Sequence, residues 1–237
     1  MREYFIEDII KKMYDLIKKE KIMFQACIFD LDGTLANTLE SISSICNEIL
    51  NRFHLPALPI EDFKYLVGDG GDVLMERCFR SVGADFTNLQ EAQQMYRDMM
   101  AENPLYKVTV YDGIMETLLE LKKRDIKLAV LSNKPHEGTC GVIKGLFGDG
   151  IFDIVQGLEI GMKKKPSIDG ALSILKKLHV EPQDCMYIGD TNTDMQTGKS
   201  AGMYTIGVLW GFRDYKELKE NHADVIIEHP SQLLYQM

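Results

Sequence analysis

Apolar residues recur at two different spacings along this chain. From residue 1 to 21, Phe5, Ile6, Ile9, Ile10, Met13, Leu16 and Ile17 fall at helical intervals with lysines and acids largely on the other face, which predicts an amphipathic helix. Gln25 to Asp30 is instead a short apolar run that ends abruptly in acids and Gly33, the pattern of a buried parallel strand whose C-terminal end opens onto a site. Similar runs at 126–132, 151–156, 185–190, 204–209 and 224–227 alternate with helical stretches such as 113–124 and 167–178. That alternation predicts an α/β fold built on a doubly wound, mainly parallel sheet.

Between Thr38 and Lys107 the strand signals vanish, and amphipathic stretches around 40–53, 72–82 and 88–102 take over. The reading is a Rossmann-like sheet with an inserted α-helical cap domain. Residues 1–22 form an N-terminal extension, 23–37 and 108–237 the α/β core, and 38–107 the cap, hung on short hinges near 37–41 and 104–112. Internal repeats and low-complexity linkers are not found.

A chain of 237 residues with 45% hydrophobic residues can bury a substantial core. Its 27 basic and 36 acidic residues leave a formal charge of -9, a field that disfavours nucleic acid and anionic membranes, so any anionic substrate needs a local positive site. The five cysteines, Cys27, Cys46, Cys78, Cys140 and Cys185, are scattered and unpaired in spacing, which fits a reducing cytoplasm. No apolar run approaches the ~20 residues that span a bilayer, and Lys11 and Lys12 interrupt any signal-peptide core. The expectation is a cytoplasmic monomer or homodimer, the extension serving dimerisation, docking on the cap or simple burial on the core.

Four clusters carry candidate chemistry. Asp30-Leu-Asp32-Gly-Thr34 sets two carboxylates at a strand end, where a tight turn at Gly33 can aim both into one pocket, one to attack and one to move protons. Ser132-Asn133 ends a second strand with a hydroxyl and an amide suited to phosphoryl oxygens. Lys163-Lys164-Lys165-Pro166 concentrates the positive charge that an acidic protein needs to hold phosphate. Gly189-Asp190-Thr-Asn-Thr-Asp194 follows another apolar strand, and its carboxylates suit magnesium. Taken singly, the first three have ordinary alternatives: a solvated acidic turn, a plain turn, a surface lysine run. The five histidines are dispersed without a metal-ligand pattern, and Trp210 and the thirteen methionines read as packing residues.

In order, DLDGT, SN, KP and GDTNTD resemble the motifs of the haloacid dehalogenase-like hydrolase superfamily, from Gln25 to the C-terminus. Val67–Arg77 and Gly207–Gly211 are similar to segments of phosphoglycolate phosphatases. The resemblance implies Asp30 as nucleophile and Asp32 as acid and base. It implies magnesium held by the Asp30 side chain, the Asp32 backbone carbonyl and Asp190, a phosphoryl grip by Ser132, Asn133 and Lys165, and Asp194 orienting Lys165 or a metal-bound water. Lys165 is chosen because it directly precedes Pro166, with Lys164 the fallback, and Ser167 stands where the family often has a second proline. The loop Gly68-Asp-Gly-Gly71 leads into a helix N-terminus that suits an anion, so Gly70, Gly71 and Arg77 are candidates for choosing the leaving group. A small phosphorylated metabolite is the implied substrate, 2-phosphoglycolate first. Rival readings are a sugar phosphomutase, a pyrophosphatase or nucleotidase, a dehalogenase, against which Asp32 argues, and a non-enzymatic binding protein.

Overall fold

The computed structural model describes residues 24–237; the helix expected over 1–21 lies outside them. In chain order the elements begin with β1 (Ala26–Phe29), β2 (Ala36–Asn37), α1 (Leu39–Arg52), α2 (Phe63–Leu66), α3 (Gly71–Ser81) and α4 (Leu89–Glu102). They continue with β3 (Thr109–Val110), α5 (Ile114–Lys123), β4 (Lys127–Pro135), α6 (His136–Phe147), β5 (Ile154–Leu158) and α7 (Asp169–Leu178). The chain closes with β6 (Cys185–Gly189), α8 (Asn192–Ser200), β7 (Tyr204–Val208), α9 (Tyr215–Glu220) and β8 (Val225–Ile227).

Six strands pair in parallel in the order β5-β4-β1-β6-β7-β8, with β1 between β4 and β6. Alternate side chains of a strand point to opposite faces, and the buried residues divide accordingly. Cys27 and Phe29 join Leu128, Val130, Met186 and Ile188 against α5 and α6, through Leu118, Leu121, Val142 and Phe147. Ala26 and Ile28 join Ala129, Leu131 and Tyr187 against α7, through Ala171, Ile174 and Leu175. Helices thus cover both faces, which is why β1 is apolar throughout and why the doubly wound reading holds.

The insertion builds its own core. Ile42, Ile45, Ile49 and Leu50 of α1 pack on Leu74, Met75, Cys78 and Phe79 of α3 and on Tyr96 and Met100 of α4, with Phe212 reaching in from beyond β7. Its two connections to the sheet meet as a short antiparallel ribbon, Ala36 opposite Val110 and Asn37 opposite Thr109. Two-residue strands are too short for periodicity to register, so the sequence reads these segments as loops. Helix α6 is hard to read for another reason: Gly141 and Gly145 dilute its apolar pattern. Side chains there would overlap Pro104 and Leu105, so the glycines let the returning linker lie against the helix.

Candidate active site

Parallel pairing aligns the strand ends. Phe29 is level with Val130 of β4 and Ile188 of β6, so Asp30, Ser132 and Asp190 leave three adjacent strands at one edge. The Asp30 amide donates to Ile188 O at 2.9 Å and extends this ladder by one rung. At Gly33 the backbone turns with φ +92°, and a Cβ there would overlap the Asp190 carboxylate, so glycine is required both for conformation and for the approach of the two loops. Between Leu131 and Pro135 the β4–β5 register shifts, a bulge that turns Ser132, Asn133 and Lys134 out of the ladder. Asp194 lies in the first turn of α8, where its side chain accepts from the Thr191 amide at 3.1 Å and the Thr191 side chain accepts from the Asp194 amide, a capping box, and the Thr191 hydroxyl also donates to Asp194 Oδ2 at 2.7 Å.

These elements bring Asp30, Asp190, Asp194 and Lys165 together. Lys165 Nζ lies 2.8 Å from Asp30 Oδ1 and 2.7 Å from Asp194 Oδ1, buried in both cases. Of the lysine run it is Lys165 that the fold brings to Asp30, since Lys163 faces Asp169 at 3.5 Å and Lys164 donates to Asp69 O. Oxygens of Asp30, Asp190 and Asp194 all come within 4.8 Å of one another. Burial, then the Asp194 charge, raise the Asp30 carboxyl well above the usual range, although Lys165 opposes them. Burial and Asp194 also push Asp190 up to about 7, against hydrogen bonds from the Phe212 amide at 2.8 Å and the Thr34 hydroxyl at 3.0 Å. Burial alone would lower Lys165, yet Asp194 and Asp30 outweigh it and raise the ammonium well above its ordinary value. Three buried carboxylates against one ammonium leave excess negative charge on hard oxygen donors, a set that fits a small divalent cation.

Asp32 stands at the rim, its carboxylate 3.0 and 3.2 Å from the ammonium of Lys134. Lys134 is a site residue that the sequence reading passes over. It follows the Ser-Asn pair directly, and charge alone does not say which lysine a bulge will turn inward. Asn133 lines the cavity and is also bonded by the chain. Its Nδ2 donates to Gly68 O at 3.0 Å and Lys165 O at 3.2 Å, and its Oδ1 accepts from the Lys165 amide at 2.7 Å, so the whole amide is engaged by the chain. Trp210, read as packing, also donates its indole N–H to Thr34 O at 2.9 Å and braces the turn that follows Asp32.

Asp30, Asp32, Ser132, Asn133, Lys134, Lys165 and Thr191 form the polar half of a cavity of about 50 Å³. The facing half is mostly apolar: Ile42, Val67, Leu74, Tyr96, Met100 and Phe212, with Gly68 and Gly70 at the edge. Gly70 lines this cavity, whereas Gly71 and Arg77 do not. A side chain at Gly71 would meet the Tyr96 ring, and Arg77 donates to Leu66 O at 2.8 Å and pairs with Asp69 at 2.5 Å, so it braces the loop from behind.

Residues 27–208 match the family model of haloacid dehalogenase-like hydrolases, and the chain belongs to that family. Its relatives include the phosphoglycolate phosphatase of Aquifex aeolicus, 31% identical over 87% of this chain and 93% of the relative. The pyrophosphatase PpaX of Listeria innocua is likewise 31% identical, over 87% and 93% of the two chains. Among solved structures, a Lactobacillus delbrueckii subsp. bulgaricus protein superposes with a TM-score of 0.83, at 28% identity over 89% of this chain and 97% of the other. Within the family the chain is a phosphatase of the phosphoglycolate phosphatase-like kind.

Proposed function

We propose that the chain is a magnesium-dependent phosphomonoester hydrolase that works through a phosphoaspartate at Asp30, with 2-phosphoglycolate the leading substrate. The supporting observation is the meeting of Asp30 with Lys165, Asp190 and Asp194 beside a cavity that Asp30, Asp32, Lys134 and Lys165 line. Asp30, Asp190 and the main-chain carbonyl of Asp32 would hold the cation, with Asp194 turning Lys165 toward Asp30. Bound there, magnesium supplies charge that offsets the repulsion between a carboxylate nucleophile and a phosphoryl dianion.

The chain's own residues then divide the work. An Asp30 oxygen attacks phosphorus, the ester P–O bond breaks, and the leaving oxygen takes a proton from Asp32, with the Lys134 ammonium behind it as proton source. In the second half Asp32 accepts a proton from water as that water attacks the phosphorus. The Asp30–phosphorus bond breaks, inorganic phosphate leaves, and the proton returns to the Asp32–Lys134 pair. Ser132 and Lys165 steady the transferring group. Asn133 holds the Lys165 backbone in place.

A cavity of about 50 Å³ favours a leaving group of few atoms, given that pockets for drug-sized ligands run to roughly 300–1,000 Å³. Pyrophosphate is the second reading, supported by the Listeria relative and by two lysines in the cavity wall. The test is phosphate release from 2-phosphoglycolate, pyrophosphate, hexose phosphates and nucleoside monophosphates, with magnesium and with chelator. The reading expects magnesium-dependent release, fastest from 2-phosphoglycolate and absent in Asp30→Asn. Faster release from pyrophosphate favours the second reading. Phosphate migration on a hexose without release would overturn both in favour of a mutase.

A further inference from the structure

Three consecutive carbonyls at the edge of the helical insertion, those of Val67, Gly68 and Asp69, each accept a hydrogen bond from a different side chain of the sheet domain. Arg213 Nη2 donates to Val67 O at 2.9 Å, Asn133 Nδ2 to Gly68 O at 3.0 Å, and Lys164 Nζ to Asp69 O at 2.9 Å. The donors come from three separate places: the loop before α9, the bulge of β4 and the loop before α7. We propose that Asn133, Lys164 and Arg213 are positioning residues forming a latch, which sets the 67–69 loop and Lys165 in place together and gates substrate entry. The proposal rests on the hydrolase reading above.

Asn133 is the hub, because the side chain that holds Gly68 also holds Lys165 through both its amide and its carbonyl. Moving the loop away therefore frees one of the groups that fix the backbone of the phosphate-gripping lysine. Arg213 joins the domains further by lying over the ring of Tyr65 at 5.4 Å, and is itself held within the sheet domain by Glu217 at 3.1 Å. Its Nη1 is buried with no partner among the described residues. An unpaired charged N–H penalises the closed arrangement and is relieved once water reaches it, so the latch holds the loop without locking it. Lys164 and Asp69 also line an outer cleft of about 310 Å³, which meets the inner cavity at Gly70, Tyr96 and Pro135. Releasing the latch would join the two spaces, making the outer cleft the way in for substrate and out for the leaving group.

Amide hydrogen exchange of the full chain, read by mass spectrometry over residues 67–74 with and without inorganic phosphate, tests this in Lys164→Met, Arg213→Met and Arg213→Lys, alongside steady-state kinetics. In the two methionine variants exchange over 67–74 should quicken by about tenfold or more while the central strands stay as protected as in wild type. Their KM should rise by a larger factor than kcat falls, and Arg213→Lys, which keeps a donor for Val67, should recover part of both. Lys164 is exposed, so its variant decides alone if Arg213→Met does not fold. Wild-type exchange in Lys164→Met overturns the latch. Failure of the wild type to hydrolyse any phosphate ester removes the hydrolase reading instead, and the exchange rates still decide whether the latch exists.

Discussion

Asp190 ties a single side chain to the pH dependence of stability. Its carboxyl is raised by burial and by Asp194 to about 7, so between the ordinary carboxylate pKa and that pH the folded chain holds a proton that the unfolded chain releases. The sign follows: this contribution to stability is fully present below the ordinary carboxylate pKa and is lost as pH rises through about 7. In chelator, urea unfolding at pH ~5 and pH ~8 should show wild type losing more stability than Asp190→Asn on going to the higher pH. Magnesium should reduce that loss, because the cation takes the place of the proton. Lys165 gives a second contrast. Replacing it with methionine strands Asp30 and Asp194 without a cation, which should cost ~3–5 kcal/mol in denaturant unfolding. The exposed Lys164→Met should cost within ~0.5 kcal/mol globally, whatever it does locally. At this scale the acids were legible because two carboxylates at a strand end are rarely structural necessities. The partners that surround them, Lys134, Thr34 and Arg213, were not, since nothing local distinguishes an inward lysine, threonine or arginine from an outward one.

Strands and helices were easier to anticipate wherever their apolar period was strong. Helices expected at 40–53, 72–82 and 88–102 run at Leu39–Arg52, Gly71–Ser81 and Leu89–Glu102. The strand expected over Cys185–Asp190 ends at Gly189, which frees Asp190 to face the site. Four residues of α2 and two each of β2 and β3 are set by tertiary contacts instead, and no window of sequence could resolve them. The outer strand β8 illustrates how a side chain secures an element. Burial would raise the Asp224 carboxyl, but Lys199 at 2.7 Å and the Thr205 amide and hydroxyl at 2.8 and 2.9 Å hold it below the usual range. That stability is present above the ordinary carboxylate pKa and is lost as pH falls through the lowered one. Asp224→Ala should destabilise by about 1–2 kcal/mol at neutral pH, allowing for partial exposure, with the difference from wild type shrinking in acid. A difference that does not change with pH would contradict this account of the strand.

Across the whole molecule the division of labour follows the two kinds of core. The sheet, packed on both faces, fixes the reacting groups; the helical insertion, with its own apolar core, supplies the mostly apolar roof through Ile42, Leu74, Tyr96 and Met100. The chain carries a formal charge of -9, and Lys134 and Lys165 are the cationic side chains that line the cavity. The sheet architecture was readable because alternation of strands and helices is a long-range pattern. Which loops of the insertion touch the sheet was not, because the contacts from Asn133, Lys164 and Arg213 go to backbone carbonyls, which leave no mark in a sequence. The most direct test of the central claim is to mix the enzyme with labelled 2-phosphoglycolate and magnesium, quench in acid within a single turnover, and map the covalent label. The account predicts one phosphoryl group on the peptide carrying Asp30, labile to hydroxylamine, formed and lost at least as fast as turnover, and absent in Asp30→Asn. Turnover without label on any aspartate, or with label on a residue other than Asp30, would contradict it.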